Sequence, residues 1–178
     1  MKKVIFLDID GVVQPYASMN QRGNQDAVAL RKRLSVHLNP DIAALPAPTV
    51  RAVYEDWHKP SLEHLLTLLR RHEAVIIISS SWRECETLHT LRTIFSIQGL
   101  DTYVAGTTPI LEHRVTEISA FLAQNPAIEQ FVIFDDDEFY KLGEYFPDNF
   151  VHCPDQIGDA QFHRASQILA GSTPLKQG

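Results

Sequence analysis

Residues 4–13 read VIFLDIDGVV. Four apolar residues, Val4 to Leu7, run without a break into two acids one residue apart, Asp8 and Asp10, and then into Gly11. An apolar run with no polar member does not alternate as a half-exposed strand does. It predicts a strand buried on both faces, as in the middle of a parallel sheet. The acids then stand where that strand ends. In open α/β sheets the carboxyl ends of the strands are where ligands bind.

The same reading extends outward. Ala74 to Ile78 and Phe131 to Phe134 are two more buried runs; Tyr103 to Ala105 and Phe150 with Val151 are weaker ones. Helical patterns lie between them. Leu62, Leu65, Leu66 and Leu69 fall on one face, with Pro60 in the first turn and Arg70 and Arg71 in the last. Leu88, Leu91 and Phe95 predict a second helix that stops before Gly99. Leu111, Val115, Ile118 and Leu122 predict a third, ended by Asn125-Pro126. Phe162, Ala165 and Leu169 predict a fourth, with Asp159 as its N-cap and Gly171 beyond its end. Strands alternating with helices predict an α/β fold, a parallel sheet with helices on both faces. Residues 14–59 break the alternation. That stretch is polar, holds Pro40, Pro46 and Pro48, and is too long for a plain loop, so an inserted flap or small cap is expected. Residues 1–171 then form one domain and residues 172–178 a tail.

Each buried run ends in polar residues. Asp8 and Asp10 follow the first, Ser79, Ser80 and Ser81 the second, and Asp135, Asp136 and Asp137 the third. Carboxylates crowded on one sheet edge repel one another at neutral pH. A hard cation relieves this, and an all-oxygen donor set fits Mg2+.

With these residues in view, the chain resembles the haloacid dehalogenase (HAD) superfamily of phosphatases, whose fold is a Rossmann-like parallel sheet. Its motifs occur in order: VIFLDIDGVV, then VIIISSSW, then Arg114, then FVIFDDD. DxDG alone is a weak signal; the ordered set is strong. The SSSWR and DDD strings, with Thr108-Pro109 and Arg114, look most similar to the HAD domain of Swiss-army-knife RNA repair-like proteins.

The resemblance implies a hydrolase that cleaves a phosphomonoester through an aspartyl phosphate. Asp8 is implied as the nucleophile and Asp10 as the general acid and base. On an extended strand, residues two apart share a face, so both can reach one phosphoryl group. Gly11 allows a sharp turn behind them. Ser80 and Ser81 are the implied phosphate contacts, with Ser79 competing. Arg114 is implied as the charge-neutralising cation, where many relatives carry Lys. Asp8, Asp10, Asp135 and Asp136 are implied to hold Mg2+, and Asp137 to support them or cap a helix. Arg83 reads equally as a phosphate contact or a surface residue. His113 and His152 read as surface residues and receive no role. Arg22, Arg31, Lys32, Arg33 and His37 form a basic cluster within the insert that reads equally as a grip on an anionic substrate or a solvated helix face.

Bulk properties bound the rest. The 178 residues, 44% of them hydrophobic, suffice for one full core. The net charge of -6 argues against a general nucleic-acid coat. Two cysteines, Cys85 and Cys153, without a CxxC, exclude a disulfide framework and a cysteine zinc site. The eight histidines show no HxH or HExxH spacing. Asp8 and Asp10 interrupt the only leader-like run, and no stretch reaches membrane-spanning length, so a cytoplasmic protein with no membrane partner is expected. The expected partner is a phosphorylated small molecule or a nucleic-acid end. The competing readings are an end-processing phosphatase and a non-catalytic phosphate-binding module on the same fold. A phosphorelay receiver and a glycosyltransferase DxD fit less well, because here the DxD ends the first strand.

Overall fold

The computed structural model describes residues 2–17, 26–137 and 139–171. Five strands, β1 (Lys3–Leu7), β2 (Val75–Ile78), β3 (Val104–Thr107), β4 (Gln130–Asp135) and β5 (Phe150–His152), form one sheet in the order β3-β2-β1-β4-β5. Every pairing is parallel. β1 lies at the centre, as its apolar run requires. That run resolves into two stripes of period two. Ile5 and Leu7 join Ile76, Ile78, Val132 and Phe134 in the core on one face, while Val4 and Phe6 join Ile77 and Ile133 on the other.

Helices cover both faces. α3 (Lys59–His72), α5 (Leu88–Ser96) and α8 (Asp159–Leu169) bury Leu65, Leu68, Leu91, Ile94, Phe95 and Leu169 against the first face. α6 (Arg114–Gln124) and the short α7 (Leu142–Tyr145) bury Ile118 and Leu142 against the second. The sheet and its helices therefore form the α/β architecture that the sequence predicts.

The insert contains α1 (Ala27–His37), a 3-10 turn (Pro40–Ala44) and α2 (Ala47–Glu55). Asp26 caps α1, its carboxylate accepting from the Val28 and Ala29 amides at 2.9 and 3.4 Å. From residue 26 onward it is no loose flap. Leu30, Leu34, Ile42, Val50, Val53 and Trp57 are buried in the same core as the sheet. Each such burial contributes about 1.5–3 kcal/mol. The basic cluster is partly tied into this packing. Arg31 donates to the Leu45 carbonyl at 3.0 Å, and the Arg33 guanidinium lies 5.9 Å from the Tyr54 ring centre. Arg22 and the expected tail, residues 172–178, lie outside the described residues.

Three local expectations need correction. β3 runs from Val104 to Thr107 rather than starting at Tyr103. α6 starts at Arg114, so Leu111 is not on its stripe. The chain is still extended at His113, and the Leu111 amide donates to Glu117 Oε1 at 3.0 Å. Gly158, not Asp159, is the residue before α8; the Asp159 carboxylate lies 3.2 Å from His64 Nε2 instead.

Candidate active site

The strand ends hold the site in register. Past β1, β2, β3 and β5 the sheet ladder continues by one bond each: Asp8 N to Phe134 O at 3.0 Å, Ser79 N to Leu7 O at 3.0 Å, Thr108 N to Ile78 O at 3.1 Å and Cys153 N to Asp135 O at 2.9 Å. The backbones carrying the polar clusters are therefore extensions of the sheet, which fixes their side chains relative to one another. Behind Asp10 the chain turns at Gly11, where φ is +71°. A Cβ there would lie 2.6 Å from Asp136 Oδ2, so Gly11 provides both the turn and the space for that carboxylate.

Asp8, Asp135 and Asp136 each offer a carboxylate oxygen within 4.8 Å of the others. Arg114 faces them, its Nη1 2.6 Å from Asp135 Oδ2 and 3.1 Å from Asp8 Oδ2. Burial works to lower the Arg114 pKa, but Asp135 and Asp8 together raise it, so the guanidinium stays charged. Asp135 is almost fully buried. Burial pushes its carboxyl up to about 7, Arg114 opposes that, and Asp8 adds to it. Tyr16, from the start of the insert, donates its hydroxyl to Asp136 Oδ2 at 2.6 Å. Asp137 points back to the chain: its carboxylate accepts from the amides of Phe139, Tyr140 and Leu142. It organises the loop before α7, close to the helix-capping role expected of it. These residues line a cavity of about 450 Å³ together with His152, to which the sequence gives no role.

Asp10 stands apart from the three clustered acids. Its Oδ2 accepts from Trp82 Nε1 at 3.0 Å. Its pKa is raised by burial, opposed by the Trp82 hydrogen bond and reinforced by Asp8 and Asp136. It lines a second cavity, of about 330 Å³, with Thr49, Ser81, Trp82, Cys85, Glu86 and Ile94. Of the three serines, Ser79 and Ser80 are fully buried, and Ser80 Oγ is 3.5 Å from the Trp82 amide. Ser79 Oγ and Thr108 Oγ1 are buried and lack a hydrogen-bond partner. Ser81 is exposed, at the start of α4 (Trp82–Cys85).

Arg83 is neither a phosphate contact nor a surface arginine. It is buried, donates to the Ser79 and Ser80 carbonyls at 2.6 and 2.7 Å, and forms an ion pair with buried Glu117 of α6. In the sequence Glu117 lies off the apolar stripe of α6, so periodicity alone reads it as a solvent-facing residue.

Residues 4–158 match the family described as the HAD domain in Swiss Army Knife RNA repair proteins. The chain belongs to this family. Comparison with curated proteins and with solved structures gives no match. The HAD domain is of the phosphohydrolase type, and the acidic cluster stands at its sheet edge as that chemistry requires. No helix among the described residues is long and apolar enough to cross a membrane.

Proposed function

We propose that this HAD domain hydrolyses a phosphomonoester through an aspartyl phosphate on Asp8, with Mg2+ as cofactor. The observation that carries the proposal is the Asp8, Asp135 and Asp136 cluster facing Arg114 at the end of β1 and β4. Three carboxylates against one guanidinium leave excess negative charge, and an oxygen-only donor set of this kind fits a hard divalent cation. When bound, Mg2+ would offset that charge and polarise a phosphoryl oxygen.

Asp8 attacks phosphorus, and the bond to the leaving oxygen breaks as the acyl phosphate forms. Asp10 supplies the proton to the leaving oxygen; its raised pKa suits it to carry that proton nearer to neutrality than an ordinary carboxyl. In the second step Asp10 takes a proton from water as that water attacks the acyl phosphate. Phosphate leaves and Asp8 is regenerated. Arg114 neutralises the phosphoryl charge; of the two expected serine contacts Ser80 is fully buried, and exposed Ser81, on the Asp10 side, is the hydroxyl open to an incoming phosphate. A panel of phosphomonoesters, with Mg2+ and with a chelator, tests the reading. Hydrolysis that needs Mg2+ is expected, and chelator-resistant turnover contradicts it.

A second reading is removal of a terminal phosphate from a nucleic-acid strand. Exposed Phe139, Tyr140 and Tyr145 favour it, lining a cavity of about 440 Å³ that shares Phe139 and Tyr140 with the acidic one. Aromatic faces of this kind stack bases. The family description, which names RNA repair proteins, points the same way. Oligonucleotides with terminal phosphates in the same panel decide between the two.

A further inference from the structure

The two acids of the first motif serve different cavities. Asp8 lines the acidic one with Arg114, Asp135 and Asp136. Asp10 lines the other, between α2 and α4, with Thr49, Ser81, Trp82, Cys85, Glu86 and Ile94. If Asp8 attacks and Asp10 protonates, the scissile bond spans the boundary between these spaces, with the phosphoryl group on the Asp8 side and the leaving oxygen on the Asp10 side. We infer that the α2–α4 cleft is a binding site for the leaving alcohol, and that this alcohol is neutral and ring-bearing. The inference rests on the hydrolytic reading above.

The lining sets the chemical class. Among the described residues the cleft wall holds no Lys, Arg or His, and its charged members are Asp10 and Glu86. A second anionic group on the alcohol would meet like charge there with no cation to offset it. The neighbouring space holds one cation, Arg51, but also the acid Asp56, so it offers no net positive charge. Trp82 also lines that space, where Arg51 is within 4.0 Å of Glu55 on the same helix. The apolar surface comes from the Trp82 ring, Ile94 and the Thr49 methyl, an arrangement that receives the face of a sugar or base ring.

Trp82 has a second task as a positioning residue. Its indole holds the Asp10 carboxylate, and its ring packs edge-on against Trp57, with centroids 6.5 Å apart. Fully buried Trp57 donates to Gln14 Oε1 at 2.9 Å, and the Gln14 carbonyl accepts from Gly11 N at 2.9 Å. The chain of contacts therefore closes on the turn that carries Asp10. The insert braces the acid and forms one wall of the cleft.

The test uses the full chain and two readouts. Cys85 is exposed in the cleft and Cys153 is buried, so Cys85 alkylation reports occupancy directly. In an Asp8→Asn variant with Mg2+, adenosine 5′-monophosphate or glucose 6-phosphate should slow iodoacetamide labelling of Cys85 by about tenfold at saturation, the ratio that ~1.4 kcal/mol produces. The two arms separate a nucleoside from a sugar. Acetyl phosphate and adenosine 3′,5′-bisphosphate should protect poorly. In the active protein, Thr49→Phe should lower kcat/KM for the ring-bearing ester relative to acetyl phosphate by about the same tenfold factor. Trp82→Phe keeps a ring on the wall but loses the indole N–H. It should lower kcat more than KM, and more for an alkyl than for an aryl phosphate, because only the alkyl leaving group needs its proton placed. Cys85 left unprotected by both ring-bearing esters, or equal losses on the ring-bearing ester and on acetyl phosphate, overturns the cleft while leaving hydrolysis standing. Protection of Cys85 without turnover of any ester overturns the hydrolytic reading and leaves the binding site. Tighter protection by the bisphosphate than by the monophosphate overturns the neutral class.

Discussion

At Asp135, burial raises the carboxyl's affinity for a proton to a pKa of about 7, above the ordinary 3.8. The folded, metal-free chain therefore keeps a proton that the unfolded chain has already released. By linkage, its stability is greatest below the ordinary value and falls as pH rises through the window from 3.8 to about 7. Asp135→Asn should flatten that fall, and thermal melts across the window with a chelator present measure it. Mg2+ should stabilise most at the upper end of the window, where the carboxylate is charged. Gly11 gives a second expectation at this scale. Alanine there must adopt a φ of +71° and would place its Cβ 2.6 Å from Asp136 Oδ2. The backbone strain alone costs about 1–2 kcal/mol. Gly11→Ala should lower the denaturant midpoint by at least that, and calorimetry should show weaker Mg2+ binding because Asp136 is displaced.

Between elements, the buried Arg83–Glu117 pair joins the β2 end, with its serines, to α6, which carries Arg114. Removing one partner leaves the other's charge buried and unpaired, which destabilises by ~3–5 kcal/mol. Glu117→Gln should therefore lower stability by about that amount and raise KM for a phosphate ester: its carbonyl can still accept from the Leu111 amide, but its NH2 faces the Arg83 guanidinium and loosens the tie between the β2 end and the helix that carries Arg114. The double variant Arg83→Met with Glu117→Leu should be more stable than the two single losses added together, as a double-mutant cycle reads out. This pair is not legible in the sequence. Arg83 stands beside a serine run and reads equally as an anion contact or a surface residue; only the fold brings it to a glutamate on another helix. The strands are legible, because unbroken apolar runs leave few other placements. Local ends are less so: Leu111 fits the period of α6, yet the Glu117 carboxylate draws its amide into the preceding turn. Asp8, Asp135, Asp136 and Arg114 are brought together, whereas Asp10 is turned to Trp82, a partner that no spacing rule indicates.

Across the whole molecule, the insert gives the fold its asymmetry. From residue 26 onward it packs into the core on one face of the sheet, and its Trp57 and Gln14 tie back to the turn after β1. Its length and polarity predict a flap or small cap; of its described part, Trp57 and Gln14 brace the turn that carries Asp10, and Tyr16 borders the acidic cavity with Tyr140 and His152. Replacing Trp57 with alanine should unfold the insert and lower stability by ~3–5 kcal/mol. Limited proteolysis should then cut within residues 26–59 first. All of this bears on catalysis only if Asp8 takes the phosphoryl group. The most direct measurement is peptide mass analysis of an Asp10→Asn variant quenched after addition of an aryl phosphate and Mg2+. The carboxamide that replaces the Asp10 carboxylate can still accept from Trp82 but cannot activate water, so the acyl phosphate should accumulate. The account predicts one added phosphate on the peptide containing Asp8, and none when Asp8 is also replaced by asparagine. A phosphate on any other residue, or none at all while the wild-type chain hydrolyses the same ester, contradicts it.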